Sequence, residues 1–195
     1  TLAEIMRKAG FNVTRECYIN DAGSQITTLA QSSYLRYLEA TGKEIGEIPA
    51  GLYPGDYLVP VGKALYQKYG DSLIEKPEEE VLPLIKPIAI EMMLDLVRKD
   101  LGNLGIEFDV FTSEQKTVHD QGLIEKAITK LKKLDLLYEG VLAPPKGDKA
   151  KNWQERPQLL FRSTNFGDDE DRALTKSDGS DIYFAADLGY LLDKL

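Results

Sequence analysis

The chain has 195 residues, 43% of them hydrophobic, which is enough for a buried core in one large domain or two small ones. With 24 Lys and Arg against 32 Asp and Glu, its net charge of −8 excludes a module that grips nucleic acid mainly through a basic surface. The single cysteine, Cys17, excludes an internal disulfide and a multi-cysteine metal site, and neither a run of ~20 apolar residues nor a charged-then-apolar leader is present, so the expectation is a cytoplasmic protein with no membrane partner.

The first segment, TLAEIMRKAGF, spaces Leu2, Ile5, Met6 and Ala9 as a helix that stops at Gly10. FNVTRECYI then has the β-branched and aromatic content of a strand, ending at Asn20 and Asp21, whose short side chains suit a turn or helix cap. The next helix, SQITTLAQSSYLRYLEATG, sets Ile26, Leu29, Ala30, Tyr34 and Tyr37 on one side and closes at Gly42. Residues 44–57 are dense in Gly and Pro, an irregular connection and a candidate internal boundary.

Residues 60–105 read as helix in two or three pieces, with Pro83 and Pro87 opening or kinking one and Ile88, Met92, Leu96 and Leu101 marking the buried face. IEFDVF (106–111) is a second strand, followed by a polar stretch and an amphipathic helix over 123–137. The last third alternates short apolar runs with turn residues, as antiparallel hairpins do, and IYFAAD reads as a final strand leading into a helix. The opening helix has no introduction and the last one no stop signal, so the chain reads as a segment of something longer. The rhythm of helix, strand, helix gives the fold class α/β.

Three separated strings, VTRECYINDAGSQI (13–26), LFRSTNFGDDEDR (160–172) and KSDGSDIYFAADLGY (176–190), resemble the catalytic domain of bacterial arginyl-tRNA synthetase, and they occur in the family's order. GLYPGDYLVPVG (51–62) and IEFDVFTSE (106–114) fit the same family. The resemblance implies a class I synthetase: a doubly wound, Rossmann-like parallel sheet split by a hairpin-rich connective insertion. On that reading 1–115 belong to the sheet domain with a helical connection near 60–105, 116–180 form the insertion, and 181–195 re-enter the sheet domain. Function would be ATP-dependent activation of L-arginine and its transfer to tRNA(Arg), with ATP entering as its Mg2+ complex, in a monomeric parent enzyme. Neither the family's His-Ile-Gly-His-type signature nor a Lys-Met-Ser-Lys string occurs, and the only histidine, His119, lies in TVHDQG. No catalytic residue is therefore expected within the chain, which alone should be inactive. An alternative is a non-catalytic module that uses the same fold to bind tRNA or a protein.

Selecting arginine requires a carboxylate that meets the guanidinium fork edge-on. The resemblance gives that part to Asp187, although its spacing also suits a helix cap. The same resemblance gives Tyr183 a substrate contact, through its ring face and hydroxyl, against the plainer reading of a strand aromatic in the core. Glu114 follows a strand end, where ligands of such sheets bind, and could hold the α-amino group or the guanidinium; a solvated loop glutamate is the other reading. Asn20, Asp21 and Gln25 fall at another strand end and are expected as caps first and site rim second. The acidic run Asp168 to Asp171 reads as a solvated loop, His119 as a surface or packing histidine and Cys17 as a small core residue, so no metal site is expected. A lysine-rich stretch with Trp153 (143–153) reads as a connector, with acceptor-end contact as the second reading.

Overall fold

A computed structural model describes residues 1–142, 156–176 and 182–195. The lysine-rich stretch 143–153 and the expected Asp178-Gly179 turn lie outside the described residues. The elements run α1 (Leu2–Lys8), β1 (Glu16–Ile19), α2 (Ser24–Ala40), α3 (Val59–Tyr69), α4 (Glu78–Asn103), β2 (Val110–Ser113), a π-helical turn (Gln115–His119), α5 (Leu123–Lys133), β3 (Leu137–Gly140), β4 (Gln158–Phe161), β5 (Arg172–Ala173) and α6 (Tyr183–Asp193). Two compact units result, Thr1–Phe111 and Thr112–Leu195.

In the first unit the core is helical. Ala30, Tyr34 and Tyr37 recur at i, i+4 and i+7 along α2 and meet Val61 and Leu65 of α3 and Val81, Ile85 and Ala89 of α4. Gly62 makes that approach possible: a Cβ there would collide with the backbone carbonyl of Arg36. The Gly- and Pro-rich stretch before α3 is irregular, as expected, but it separates no domains, because α2 and α3 on its two sides share this core. Two tyrosines are tied down by their hydroxyls. Tyr37, fully buried, donates to the Gly70 carbonyl (2.6 Å) and accepts from the Leu73 N–H (3.3 Å), and Tyr34, stacked on it, donates to the Leu73 carbonyl (3.1 Å). Burial pushes both phenols above their ordinary range.

Pro83 and Pro87 open no helix; both lie inside α4, on exposed positions of its surface, where the lost N–H costs least. The buried stripe of α4 is Val81, Leu82, Ile85 and Ala89, one turn or more before the positions expected. Ile88 and Met92 are partly buried against it, but Leu96 is 38% exposed. Cys17 is half-buried rather than a core residue.

Both expected strands form but start later than their composition suggests, β1 at Glu16 and β2 at Val110. They make a small parallel sheet. Its entry is held by Asp109, whose carboxylate accepts from the Arg15 backbone N–H (2.7 Å) and the Arg7 guanidinium (2.9 Å), while the N–H groups of Asp109 and Val110 both donate to the Arg15 carbonyl. The Arg15 N–H, and then the two guanidinium groups, hold the Asp109 carboxyl below its ordinary range.

The second unit combines helices with an antiparallel sheet of order β3-β4-β5, in which Leu137 pairs with Phe161 and Leu160 with Ala173. The hairpin character read from the last third is thus present. α5 ends at Lys133, short of the expected 137, because Asp135 turns left-handed (φ 56°) and releases the chain into β3. IYFAAD is not a strand: Tyr183 is already the first residue of α6, and Ile182 before it is extended.

Candidate functional site

Glu114, His119, Tyr183 and Asp187 all belong to the second unit. α6 buries Ala185, Ala186 and Gly189 and leaves Tyr183, Asp187 and Leu191 exposed. Those three stand at i, i+4 and i+8, so they form one solvent-facing stripe. Tyr183 is 67% exposed, which removes the reading of a core aromatic. Asp187 is no cap: the N-cap of α6 is Ile182, and Asp187 lies more than one turn inside. A carboxylate and a phenol ring held one turn apart on a rigid helix can meet the edge and the face of one planar cation.

The start of α6 is fixed from the sheet. The Ile182 N–H donates to the Leu174 carbonyl (3.1 Å), one residue beyond β5. Phe184 packs at 6.0 Å against Phe161 of β4, which in turn stacks on Phe166 at 5.8 Å with ring planes 7° apart. Phe161, Phe166, Ile182 and Phe184, with the Asp168–Arg172 pair, line an open groove of about 550 Å³ beside the first turn of α6. Tyr183, next in sequence to two of these groove residues, stands on the exposed stripe.

The acidic run is more than a solvated loop. Asp168 accepts two hydrogen bonds from the Arg172 guanidinium (2.6 and 2.7 Å) and one from the Asp169 N–H (2.9 Å), and its carboxyl is held at about 2, chiefly by Arg172. Asp171 accepts from the Tyr138 hydroxyl (2.7 Å) and from the N–H and hydroxyl of Thr164 (3.0 and 2.8 Å). These bonds, the Tyr138 hydroxyl first, keep its carboxyl below the ordinary range. Both carboxylates therefore serve the loop that carries Phe166. No group of three or more His, Cys, Asp or Glu among the described residues is arranged to hold a metal ion.

Glu114 is only 6% exposed, so it is not the solvated loop residue that its setting allowed. It follows β2 directly and enters the π-helical turn, where its Oε1 lies 3.1 Å from His119 Nε2. The turn is pinned by the Lys116 N–H on Ser113 Oγ (3.0 Å), by the Asp120 N–H on the Gln115 carbonyl (2.8 Å) and by the Gln115 side chain on Asp120 (2.8 Å). Val118 is buried beneath α6. His119 lies at the surface, one of the two expected readings, with its ring bonded to the buried Glu114.

Asn20 and Asp21 lie in the first unit just beyond the end of β1, and Gln25 lies in the first turn of α2. Neither Asn20 nor Asp21 caps α2: the cap position is Gly23, and no side chain there bonds to the helix. Asn20 and Gln25 are exposed and Asp21 is half-buried.

The Glu114–His119 pair and the stacked phenylalanines were missed at the level of sequence. A spacing of five matches neither the helical nor the strand period, and Phe166 lay unremarked inside a string read for its acidic run.

No protein-family model matches the chain. Arginine–tRNA ligases match it over its whole length: that of Cereibacter sphaeroides (strain ATCC 17029 / ATH 2.4.9) is 54% identical over 194 residues, covering 100% of this chain. Those of Parvibaculum lavamentivorans and Agrobacterium fabrum are 53% and 54% identical over 193 and 196 residues. The chain spans 33% of the length of each. Among solved structures, one assigned to an arginyl-tRNA synthetase of Campylobacter jejuni superposes with a TM-score of 0.79 at 29% identity, covering 99% of this chain and 38% of that one. The arginyl-tRNA synthetase of Plasmodium falciparum, with a TM-score of 0.57 at 17% identity, shares the fold. In its residues and its fold, the chain is similar to one third of an arginyl-tRNA synthetase, the family its motifs resemble.

Proposed function

We propose that this chain recognises L-arginine within the catalytic domain of an arginyl-tRNA synthetase. The observation that carries the reading is the exposed pair Tyr183 and Asp187, one turn apart on a helix whose opposite face is buried. Asp187 accepts two parallel N–H bonds from the guanidinium, Tyr183 covers its face, and Glu114 takes the α-amino group. β1 and β2 would be adjacent strands of a doubly wound sheet, which their pairing supports. The antiparallel strands β3 to β5 fall within residues 116–180, which supports a connective insertion there.

The reaction is attack of the arginine carboxylate on the α-phosphorus of ATP, with loss of pyrophosphate, followed by transfer of the arginyl group from the adenylate to a 3′-terminal hydroxyl of tRNA(Arg), with release of AMP. ATP and Mg2+ enter as the substrate complex. Neither the His-Ile-Gly-His-type signature nor the Lys-Met-Ser-Lys string occurs in the 195 residues, so we assign this chain no phosphate chemistry and no activity alone. Its part is to bind and orient arginine, and positioning of this kind is a large share of the work in phosphoryl chemistry. No helix among the described residues is long and apolar enough to cross a membrane; a cytoplasmic, monomeric enzyme is part of the same proposal.

The test is arginine-dependent exchange of pyrophosphate into ATP by the enzyme that contains this chain. Loss of arginine-dependent exchange in Asp187→Ala, with melting behaviour retained, is the expected result. Unchanged arginine kinetics reject the assignment to Asp187, and no arginine-dependent exchange in the unaltered protein leaves the non-catalytic module as the better reading.

A further inference from the structure

A π-helical turn is rare, costs hydrogen-bond geometry, and occurs disproportionately at functional sites. The one here follows β2 immediately, and its five residues end at His119. An α-helix would bring residues three or four apart onto one face. The i to i+5 bond from the Asp120 N–H to the Gln115 carbonyl widens the turn instead, and residue i+5 comes beside residue i. Glu114 and His119 are such a pair, and their side chains meet at 3.1 Å.

An ionised carboxylate offers only acceptors, and His119 Nε2 is the ring atom placed to donate to it. The two partners differ in exposure: Glu114 is almost completely buried, whereas His119 keeps about a third of its side chain in solvent. A buried carboxylate left without its donor loses both stabilisation and a fixed orientation. The histidine reaches it from the solvent side, on a turn pinned by Ser113 and Asp120.

We propose that His119 is the positioning residue for Glu114: it holds the Glu114 carboxylate in the orientation that takes the substrate amine, and the π-helical turn exists to bring it there. This rests on Glu114 as an arginine contact. His119 touches no substrate and acts only through the carboxylate.

The experiment uses the enzyme that contains this chain, with KM for arginine, KM for ATP and kcat measured in pyrophosphate exchange for Glu114→Gln, His119→Ala, His119→Phe, His119→Gln and the double variant Glu114→Gln with His119→Ala. Removing the donor by Ala or Phe raises KM for arginine about tenfold and leaves KM for ATP unchanged, as loss of one binding interaction does. His119→Gln, which keeps an N–H donor, restores most of the arginine affinity. The double variant is no worse than Glu114→Gln alone, since residues acting through one contact are not additive.

A normal arginine KM in His119→Ala and His119→Phe, with a raised one in Glu114→Gln, overturns the positioning role and leaves Glu114 as a contact. A normal arginine KM in Glu114→Gln overturns both. Equal increases in the arginine and ATP constants, or additive effects in the double variant, also overturn the proposal. The Phe variant keeps the ring volume, so a result confined to the Ala variant reports lost packing and counts against it.

Discussion

Gly189 of α6 and Val118 of the π-helical turn lie so close that a Cβ on the glycine would stand 2.7 Å from Val118 Cγ1, and 3.2 Å from the backbone nitrogen of Ile124. The helix that displays Tyr183 and Asp187 is therefore seated on the turn that carries Glu114 and His119. Gly189→Ala forces either the buried valine or the start of α5 to move, an overpacking that costs about 1–3 kcal/mol. Urea unfolding should show that loss of stability. Arginine affinity should fall with it, and Val118→Ala in the same background should recover part of both by making room. A fully stable Gly189→Ala protein would mean that α6 has slack at this point.

In the first unit, Tyr37 makes a comparable prediction of opposite character, since it removes atoms rather than adding them. Its hydroxyl serves the Gly70 carbonyl and the Leu73 N–H inside the core. Tyr37→Phe keeps the ring but deprives both backbone groups, and each unpaired buried group costs roughly 1–3 kcal/mol. The expected result is a lower urea midpoint with an unchanged slope. Tyr34→Phe, which deprives only the Leu73 carbonyl, should cost less.

The helices of the first unit were legible because their period is local: α2 writes its buried stripe in its own sequence at Ala30, Tyr34 and Tyr37. α4 was less so. Its first turns meet α2 and α3 while Leu96 does not, and a periodicity gives the side of a helix but not how far along it a neighbour extends. Tyr183 and Phe184 have strong strand propensity, yet they start a helix. The bond from Ile182 to the Leu174 carbonyl ends the extended segment there, and a tertiary contact overrides propensity. Asp187 was named from the resemblance and Glu114 from its place after a strand end. That Glu114 meets a histidine five residues on, through a π-helical turn, and that Asp187 stands open on a helix face, are written in neither the helical nor the strand period.

Acid should act on the loop below the groove. Asp168 has an ordinary carboxyl pKa of 3.8 that is depressed to about 2, first by Arg172. A depressed folded-state pKa means that the ionised form is favoured by folding. The stabilisation is complete above the ordinary value and is lost as pH falls through about 2. Wild-type protein should lose stability between those two pH values, while Asp168→Asn should be less stable at neutral pH and flatter across that window. Thermal melting at a series of pH values checks this, and parallel curves for the two proteins would show that the pair contributes nothing to folding.

Asp187 supplies the sharpest separation of a recognition role from a structural one, because it is exposed and caps nothing. Hydrogen bonds to charged groups contribute about 1.5–3 kcal/mol each, so losing a two-point contact should raise the arginine requirement by two orders of magnitude or more. Asp187→Asn is the informative variant. It keeps the volume and one acceptor, so it should bind better than Asp187→Ala yet far worse than wild type, because a neutral amide cannot accept both bonds of the guanidinium fork. Asp187→Glu keeps the charge but moves it outward by one methylene, and should recover affinity only in part. Unfolding free energies from urea titration should remain within about 0.5 kcal/mol of wild type for all three, as for exposed positions generally. Arginine kinetics that follow the order Asp, Glu, Asn, Ala at constant stability would locate the guanidinium on α6. A loss of stability that tracks the loss of activity would return Asp187 to a structural part.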